Sequence, residues 1–361
     1  MVQKLSQYQG CLLGIAVGDA MGSPIDKKCW EEICRDYGPN GLMGYDLVNG
    51  CAEVTSYTQL AAYTSNGLLL GMSRYQPENY GKFIFAALKE WTKCQQIYTP
   101  PERTLCWVSR IASMRRKLCM DTRMLDALSR DVVGTLDNPI NASYLPSALT
   151  CSAIIGLFFN AGRMEPRQIG ALAAETTALT SGDPETILSG AVLAYSIAGM
   201  IQDPELPLKT HFTNAVEAVR VQFGNRFPQI EKIAALVDKA IALAEDAELM
   251  PLVAMTLLEC TTAAECLAGA MYTALVHPDN FDEGMITAVN HSGRSGGVGA
   301  VTGAILGAKL GVEALPEFYL ESLDAVEVLK ELATDMTQGK QITRIFDDSW
   351  DQKYVQGRPV G

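Results

Sequence analysis

Histidine is scarce in this chain, with three residues in 361, and none shares a helix face with another. The ten cysteines, Cys11, Cys29, Cys34, Cys51, Cys94, Cys106, Cys119, Cys151, Cys260 and Cys266, form no CxxC pair. These shortages exclude a zinc site and a disulfide framework, so the thiols read as reduced and mostly buried, as in a cytoplasmic protein. Basic charge is short too: 29 Lys and Arg against 41 Asp and Glu leave a net charge of −12. A nucleic-acid surface needs clustered cations and is not expected. Long apolar runs are absent, since Val298 to Ala308 falls short of a membrane span. Cys11 to Val17 imitates a signal-peptide core but has no cleavage context. With 48% apolar and 19% charged residues the chain has the means to bury a core.

What is present is helical periodicity. Apolar residues recur at i, i+3, i+4 and i+7, while period-2 runs are few, which predicts an all-α fold. Helices are expected over 6–21, 27–36, 55–71, 78–97, 100–117, 147–161, 166–179, 184–201, 208–223, 228–247, 261–276, 279–290, 297–311 and 317–334. Ser6 with Gln9, and Thr99 with Pro100 and Glu102, read as capping boxes; Asp183 before Pro184 reads as an N-cap. No linker or charge shift divides residues 1–361, so one domain is expected, a single compact bundle.

Two ladders stand out: Gly10, Gly14, Gly18 and Gly22, and Gly299, Gly303, Gly307 and Gly311. Residues four apart share a helix face, so each ladder is a smooth ridge. Glycine costs about 1 kcal/mol per helical position relative to alanine, so eight of them need a reason. Either each ladder helix packs tightly against a neighbour in the middle of the bundle, or these helices bring backbone and loop ends close to a ligand.

The first ladder, with Gly18-Asp19-Ala20 and Pro24 in its text, resembles the opening helix of the ADP-ribosylglycohydrolase family, G-x-L-x-G-x-A-x-G-D-A-x-G-x-P. The second, running on to Pro316, is similar to that family's closing segment. Thr55 to Ala61 stands where the family has T-D-D-T-Q-M-A, and Leu179 to Pro184 where it often has L-T-H-x-x-P. The resemblance covers about 10–320, with 335–361 as a C-terminal extension, and implies an orthogonal multi-helix bundle.

In that family two Mg²⁺ or Mn²⁺ ions lie between T-D-D and a later D-x-D-T, orienting the ADP-ribose diol for glycosidic cleavage. Thr55 remains, but Ser56 and Tyr57 replace the first two aspartates, and Arg294, Gly296 and Gly297 replace the later aspartates and threonine. Hard divalent cations need anionic oxygens. The resemblance therefore implies no metal site and no Mg²⁺ cofactor here. The family's A-M-R-x-x-P corresponds loosely to Ala148 to Ala153 without its arginine, and its L-T-H histidine is Ser181.

Ligand-binding candidates are Asp19, Thr55, Ser56, Tyr57, Arg294, Ser295 and Gly296; no catalytic residue is assigned. Each has a plainer alternative. Asp19 can serve as a buried hydrogen-bonding group, and Thr55, Ser56 and Thr58 can cap their own helix. Tyr57 can fill space or stack on a nucleobase. Arg294, in a glycine-rich loop before a helix, suits an anion or pairs with an acid in the vacated site. His291 reads as a packing residue. Three functions stay open: a binding protein for an ADP-ribose-like nucleotide or an ADP-ribosylated partner without family hydrolysis, a metal-independent hydrolase, and an interaction protein with a closed cleft. Neither nucleic acid nor membrane is an expected partner.

Overall fold

The computed structural model describes residues 2–96, 103–118, 122–130, 132–159, 165–340 and 348–360. Among them the regular structure is helical, and two isolated bridges, Val48 with Cys51 and Ala52 with Leu323, are the β pairing present. The helices are α1 (Val2–Gly22), α2 (Trp30–Tyr37), α3 (Ser56–Ser73), α4 (Tyr80–Gln96), α5 (Ala112–Arg115) and α6 (Thr122–Ser129). There follow α7 (Ser147–Phe159), α8 (Pro166–Ala178), α9 (Pro184–Gln202), α10 (Leu208–Phe223), α11 (Ile230–Ala244) and α12 (Pro251–Leu258). The last are α13 (Ala263–Val276), α14 (Phe281–Val289), α15 (Ser295–Leu310), α16 (Glu317–Ser322), α17 (Val326–Gln338) and α18 (Ser349–Tyr354). The all-α expectation is met.

The glycine ladders explain the centre. α1 and α15 run antiparallel and face each other glycine to glycine. A Cβ on Gly14 would lie 2.7 Å from the carbonyl carbon of Gly303, and one on Gly18 would lie 2.7 Å from the amide nitrogen of Ala300. Gly10 meets Gly307 and Gly22 meets Ser295 in the same way. No side chain fits between backbones this close, which is why helix propensity yields to packing here. α3 and α17 cover α1, and α13 and α14 cover α15, so both ladder helices are sealed in the core.

Several expectations are corrected. Helix α1 starts at Val2, so Ser6 lies inside it and does not cap it. Its hydroxyl accepts from the Val312 amide at 3.1 Å and donates to Glu313, tying α1 to the end of α15. The helix expected over 100–117 is a 3₁₀ turn at Trp107–Arg110 followed by the single-turn α5. Thr99, Pro100 and Glu102 lie outside the described residues. Helices α6, α12 and α18 lie outside the expected helical segments. Asp183 does cap α9, accepting from the Thr186 amide at 2.8 Å. α9 is long and apolar enough to cross a membrane although it has no long unbroken apolar run, but 78% of its apolar window is buried inside the protein. All nine described cysteines are free.

Candidate functional site

Because the ladders are antiparallel, the loop leaving α1 after Gly22 meets the loop entering α15 before Ser295. The two are laced together. The Lys27 amide donates to the Gly293 carbonyl at 2.7 Å, the Trp30 amide to the Ser292 hydroxyl at 2.9 Å, and the Gly296 amide to Asp26 Oδ1 at 3.2 Å. From behind, the Arg294 amide donates to the Cys260 carbonyl at 2.9 Å. Lys27, Glu259 and Cys260 hold left-handed backbones at φ 70°, 62° and 53°, and Gly293 sits at φ 139°. Non-glycine residues there cost on the order of 1–3 kcal/mol each and persist where surrounding bonds over-determine them, typically beside a functional site.

In front of these loops lies a cavity of about 700 Å³ lined by the α1 loop, the start of α3, Leu118, the start of α6, Leu145, Ser147 and Arg294. Thr55, Ser56, Tyr57 and Arg294, four of the seven predicted residues, line it. Gly296 backs Tyr57: a Cβ there would sit 3.3 Å from the ring. Ser295 is buried and turns inward toward the His291 carbonyl at 3.4 Å.

Asp19 is also fully buried, behind the wall formed by Thr55. It caps α3 from another helix. Oδ2 accepts from the Thr55 amide at 2.7 Å, the Thr58 amide at 3.1 Å and the Thr58 hydroxyl at 2.6 Å; Oδ1 accepts from the Thr55 hydroxyl at 2.5 Å. So Thr55 and Thr58 do not cap α3 with their own hydroxyls as expected; they deliver those hydroxyls to Asp19. Burial pushes the Asp19 pKa up, and the threonine donors pull against that rise.

The acid opposite the guanidinium, which sequence reasoning could not place, is Asp26: Arg294 Nη1 lies 3.6 Å from its Oδ2, both side chains being about one-fifth exposed. Burial raises the Asp26 pKa, opposed by Arg294, the Gly296 amide and Lys27. Asp26, Lys27, Leu118, Met124, Leu145 and Ser147 are cavity residues absent from the predicted set. The ladder register held the missing signal for Asp26, since residues just past Gly22 must face residues just before Ser295.

Other motif positions buttress the site. Thr150, where the family has arginine, donates to the Tyr57 carbonyl at 2.8 Å. Gln59 donates to the Ser113 carbonyl at 2.7 Å and to the Arg116 carbonyl at 3.1 Å, steadying the segment that carries Leu118. Ser181 donates to the Ser143 carbonyl, away from the cavity. His291 is fully buried, and burial lowers its pKa. Among the described residues no group of three His, Cys, Asp or Glu is placed to hold a metal ion, and the acid lining the cavity is already paired with Arg294. The donor set therefore does not fit the family's binuclear centre.

The ADP-ribosylglycohydrolase family model matches residues 2–345. The chain belongs to the ADP-ribosylglycohydrolase family. A protein of Archaeoglobus fulgidus described as "Uncharacterized protein" is 25% identical over 346 residues, covering 91% of this chain and 95% of that protein. A solved "ADP-ribosylglycohydrolase-related protein complex" shares the fold, with a TM-score of 0.59 and 20% identity over 94% of this chain and 99% of that one. The family match extends beyond 10–320 at both ends.

Proposed function

We propose that this family member keeps the cleft as a metal-independent binding site for an ADP-ribose-like nucleotide, free or on a modified partner protein, and lacks the family's Mg²⁺-dependent hydrolysis. The Arg294–Asp26 pair carries this reading, because it puts a guanidinium where the family pattern has an aspartate and ties up the acid that faces it. A divalent ion beside that guanidinium would meet repulsion of several kcal/mol at an effective dielectric near ~20. With Lys27 and Arg294 against Asp26, the lining has more cationic than anionic groups and suits a diphosphate. Leu118, Met124 and Leu145 add apolar surface for a base, and the open volume disfavours a closed cleft.

Calorimetric titration of ADP-ribose into the protein in EDTA, then in Mg²⁺, tests the proposal. Binding of equal strength in both is expected; no binding of ADP-ribose or NAD sinks it. Mg²⁺ or Mn²⁺ coordinated by Thr55 and Ser56 in a crystal grown in millimolar metal would refute the metal-free part.

Asp26 also favours the second reading, a metal-independent hydrolase. A partly buried carboxylate with a raised pKa is suited to general-base work on the attacking water, and Arg294 would hold the diphosphate of the ADP-ribosyl group while the glycosidic bond to the leaving nitrogen or oxygen breaks. Turnover that persists in EDTA and vanishes in Asp26→Asn would establish it.

A further inference from the structure

We infer that Asp19, from behind the cavity wall, fixes Thr55 as a hydrogen-bond acceptor, so that the ligand group seated against it is a donor such as a sugar hydroxyl. The anionic part of the ligand then belongs beside Arg294 and Lys27. The ligand's identity rests on the nucleotide reading above; the polarity of Thr55 rests on bonds within the protein.

The Thr55 and Thr58 amides, which can only donate, both point at Asp19 Oδ2. That oxygen is therefore an acceptor. The Thr55 hydroxyl approaches the other oxygen, Oδ1, at 2.5 Å. A hydroxyl has one hydrogen and two lone pairs. With Asp19 ionised and the hydrogen committed to it, lone pairs are all that the Thr55 hydroxyl has left to offer a ligand group that reaches it from the cavity Thr55 lines. A bare phosphate or carboxylate oxygen is repelled there, and a hydroxyl is accepted. The cavity thus sorts its ligand by hydrogen-bond polarity, donor toward Thr55 and anion toward the two cations. Asp19 is a positioning residue in this scheme, because it touches Thr55 and not the ligand.

The same geometry says what Asp19→Asn does. The two amides still require an acceptor, so the carboxamide oxygen takes the Oδ2 place, and its NH₂ faces the Thr55 oxygen and the Ser23 hydroxyl, which lies 3.0 Å from Oδ1 and also donates to the Asp19 carbonyl at 2.6 Å. The hydroxyl hydrogen is then released toward the cavity, and the preference inverts.

Neutron diffraction on deuterium-exchanged, ligand-free crystals reads the polarity directly. Deuterium between Thr55 Oγ1 and Asp19 is expected; deuterium on the cavity side overturns the inference. In solution, ADP-ribose is compared with analogues lacking one hydroxyl of the terminal ribose. The wild-type protein should bind one deoxy analogue roughly 3- to 10-fold more weakly. Thr55→Val should lose that discrimination and Thr55→Ser keep it; equal discrimination in wild type and Thr55→Val overturns the inference even where Asp19→Asn fails to fold. Failure of the wild type to bind ADP-ribose at all would refute the nucleotide reading, while the neutron result still decides the polarity of Thr55.

Discussion

The α1–α15 seam and the cleft at its end are built from the same two helices, yet they answer to different constraints. Along the seam Gly10, Gly14 and Gly18 face Gly307, Gly303 and Gly299, because backbone meets backbone and no side chain is tolerated, and only at the cleft end does Gly22 face a serine, Ser295. One turn further on, Gly296 has Tyr57 and Ser23 around it instead of a facing carbonyl, and Ser56, Tyr57 and Arg294 stand where the family pattern has acids. A seam is a steric requirement on every residue; a site is a chemical requirement on a few. The first holds as long as the fold does, whereas the second lapses or changes once the ligand chemistry changes.

The largest effect should come from breaking the seam. Gly14→Ala places a methyl 2.7 Å from the Gly303 carbonyl carbon, where only the backbone can give way. A loss of about 3 kcal/mol or more, measured by denaturant unfolding, is expected. Gly296→Ala, meeting ring carbon and side-chain oxygens at 3.3 to 3.6 Å, should cost under about 1 kcal/mol. Equal losses at the two positions would dissolve the contrast between seam and cleft.

Asp19 stands where seam becomes cleft, and its removal ranks second. Asp19→Ala strands the Thr55 and Thr58 amides in a buried helix start. A destabilisation of roughly 2 kcal/mol by thermal or chemical unfolding is expected. An unchanged melting temperature would show that water caps α3 as well as the carboxylate does.

Each ladder was legible as a ridge for close packing because a four-residue glycine repeat lines one helix face, whereas the pairing of the two ladders with each other came from the structure. The helices that carry them were legible for the same reason of periodicity. α6, α12 and α18 were not: six to eight residues span about two turns, where the period alone does not separate helix from loop, although the equally short α2 was expected. The 100–117 region failed differently: helical spacing was present, but Trp107 to Arg115 spends it on a 3₁₀ turn and a single helical turn packed against α3 and α4. In the cleft, Thr55, Tyr57 and Arg294 came from motif positions. Leu145 and Met124 carry no motif and reach the cavity by tertiary packing alone. Asp26 falls between: motif text does not mark it, but pairing the ladders antiparallel would have put it opposite Arg294.

Arg294 allows the cleft to be altered without touching the seam. Its guanidinium and the Asp26 carboxylate it pairs with are each only about one-fifth exposed, so Arg294→Ala leaves a mostly buried acid without its nearest cation. Stability should fall by about 1–2 kcal/mol, below the Asp19→Ala loss, while ADP-ribose affinity falls tenfold or more, since a charge-assisted contact to phosphate is worth about 1.5–3 kcal/mol. A large loss of stability with affinity preserved would make the residue part of the scaffold and not of the site.

The smallest effect concerns pH and tests whether the ground behind the cleft is as dry as the seam. His291 is fully buried three residues before Arg294, and burial drives its pKa below the ordinary 6.5. His211 and His277 are shifted the same way, again by burial. For such a group the unfolded chain takes up protons first, starting near the ordinary value. The stability it contributes is therefore complete above about pH 6.5 and is lost as pH falls toward the lower folded pKa. The melting temperature of the wild type should drop on going from pH 7.0 to pH 5.5, and His291→Asn should drop less. Parallel pH profiles for the two proteins would mean that water reaches His291, and with it that the Arg294 loop opens in solution while the glycine seam stays shut.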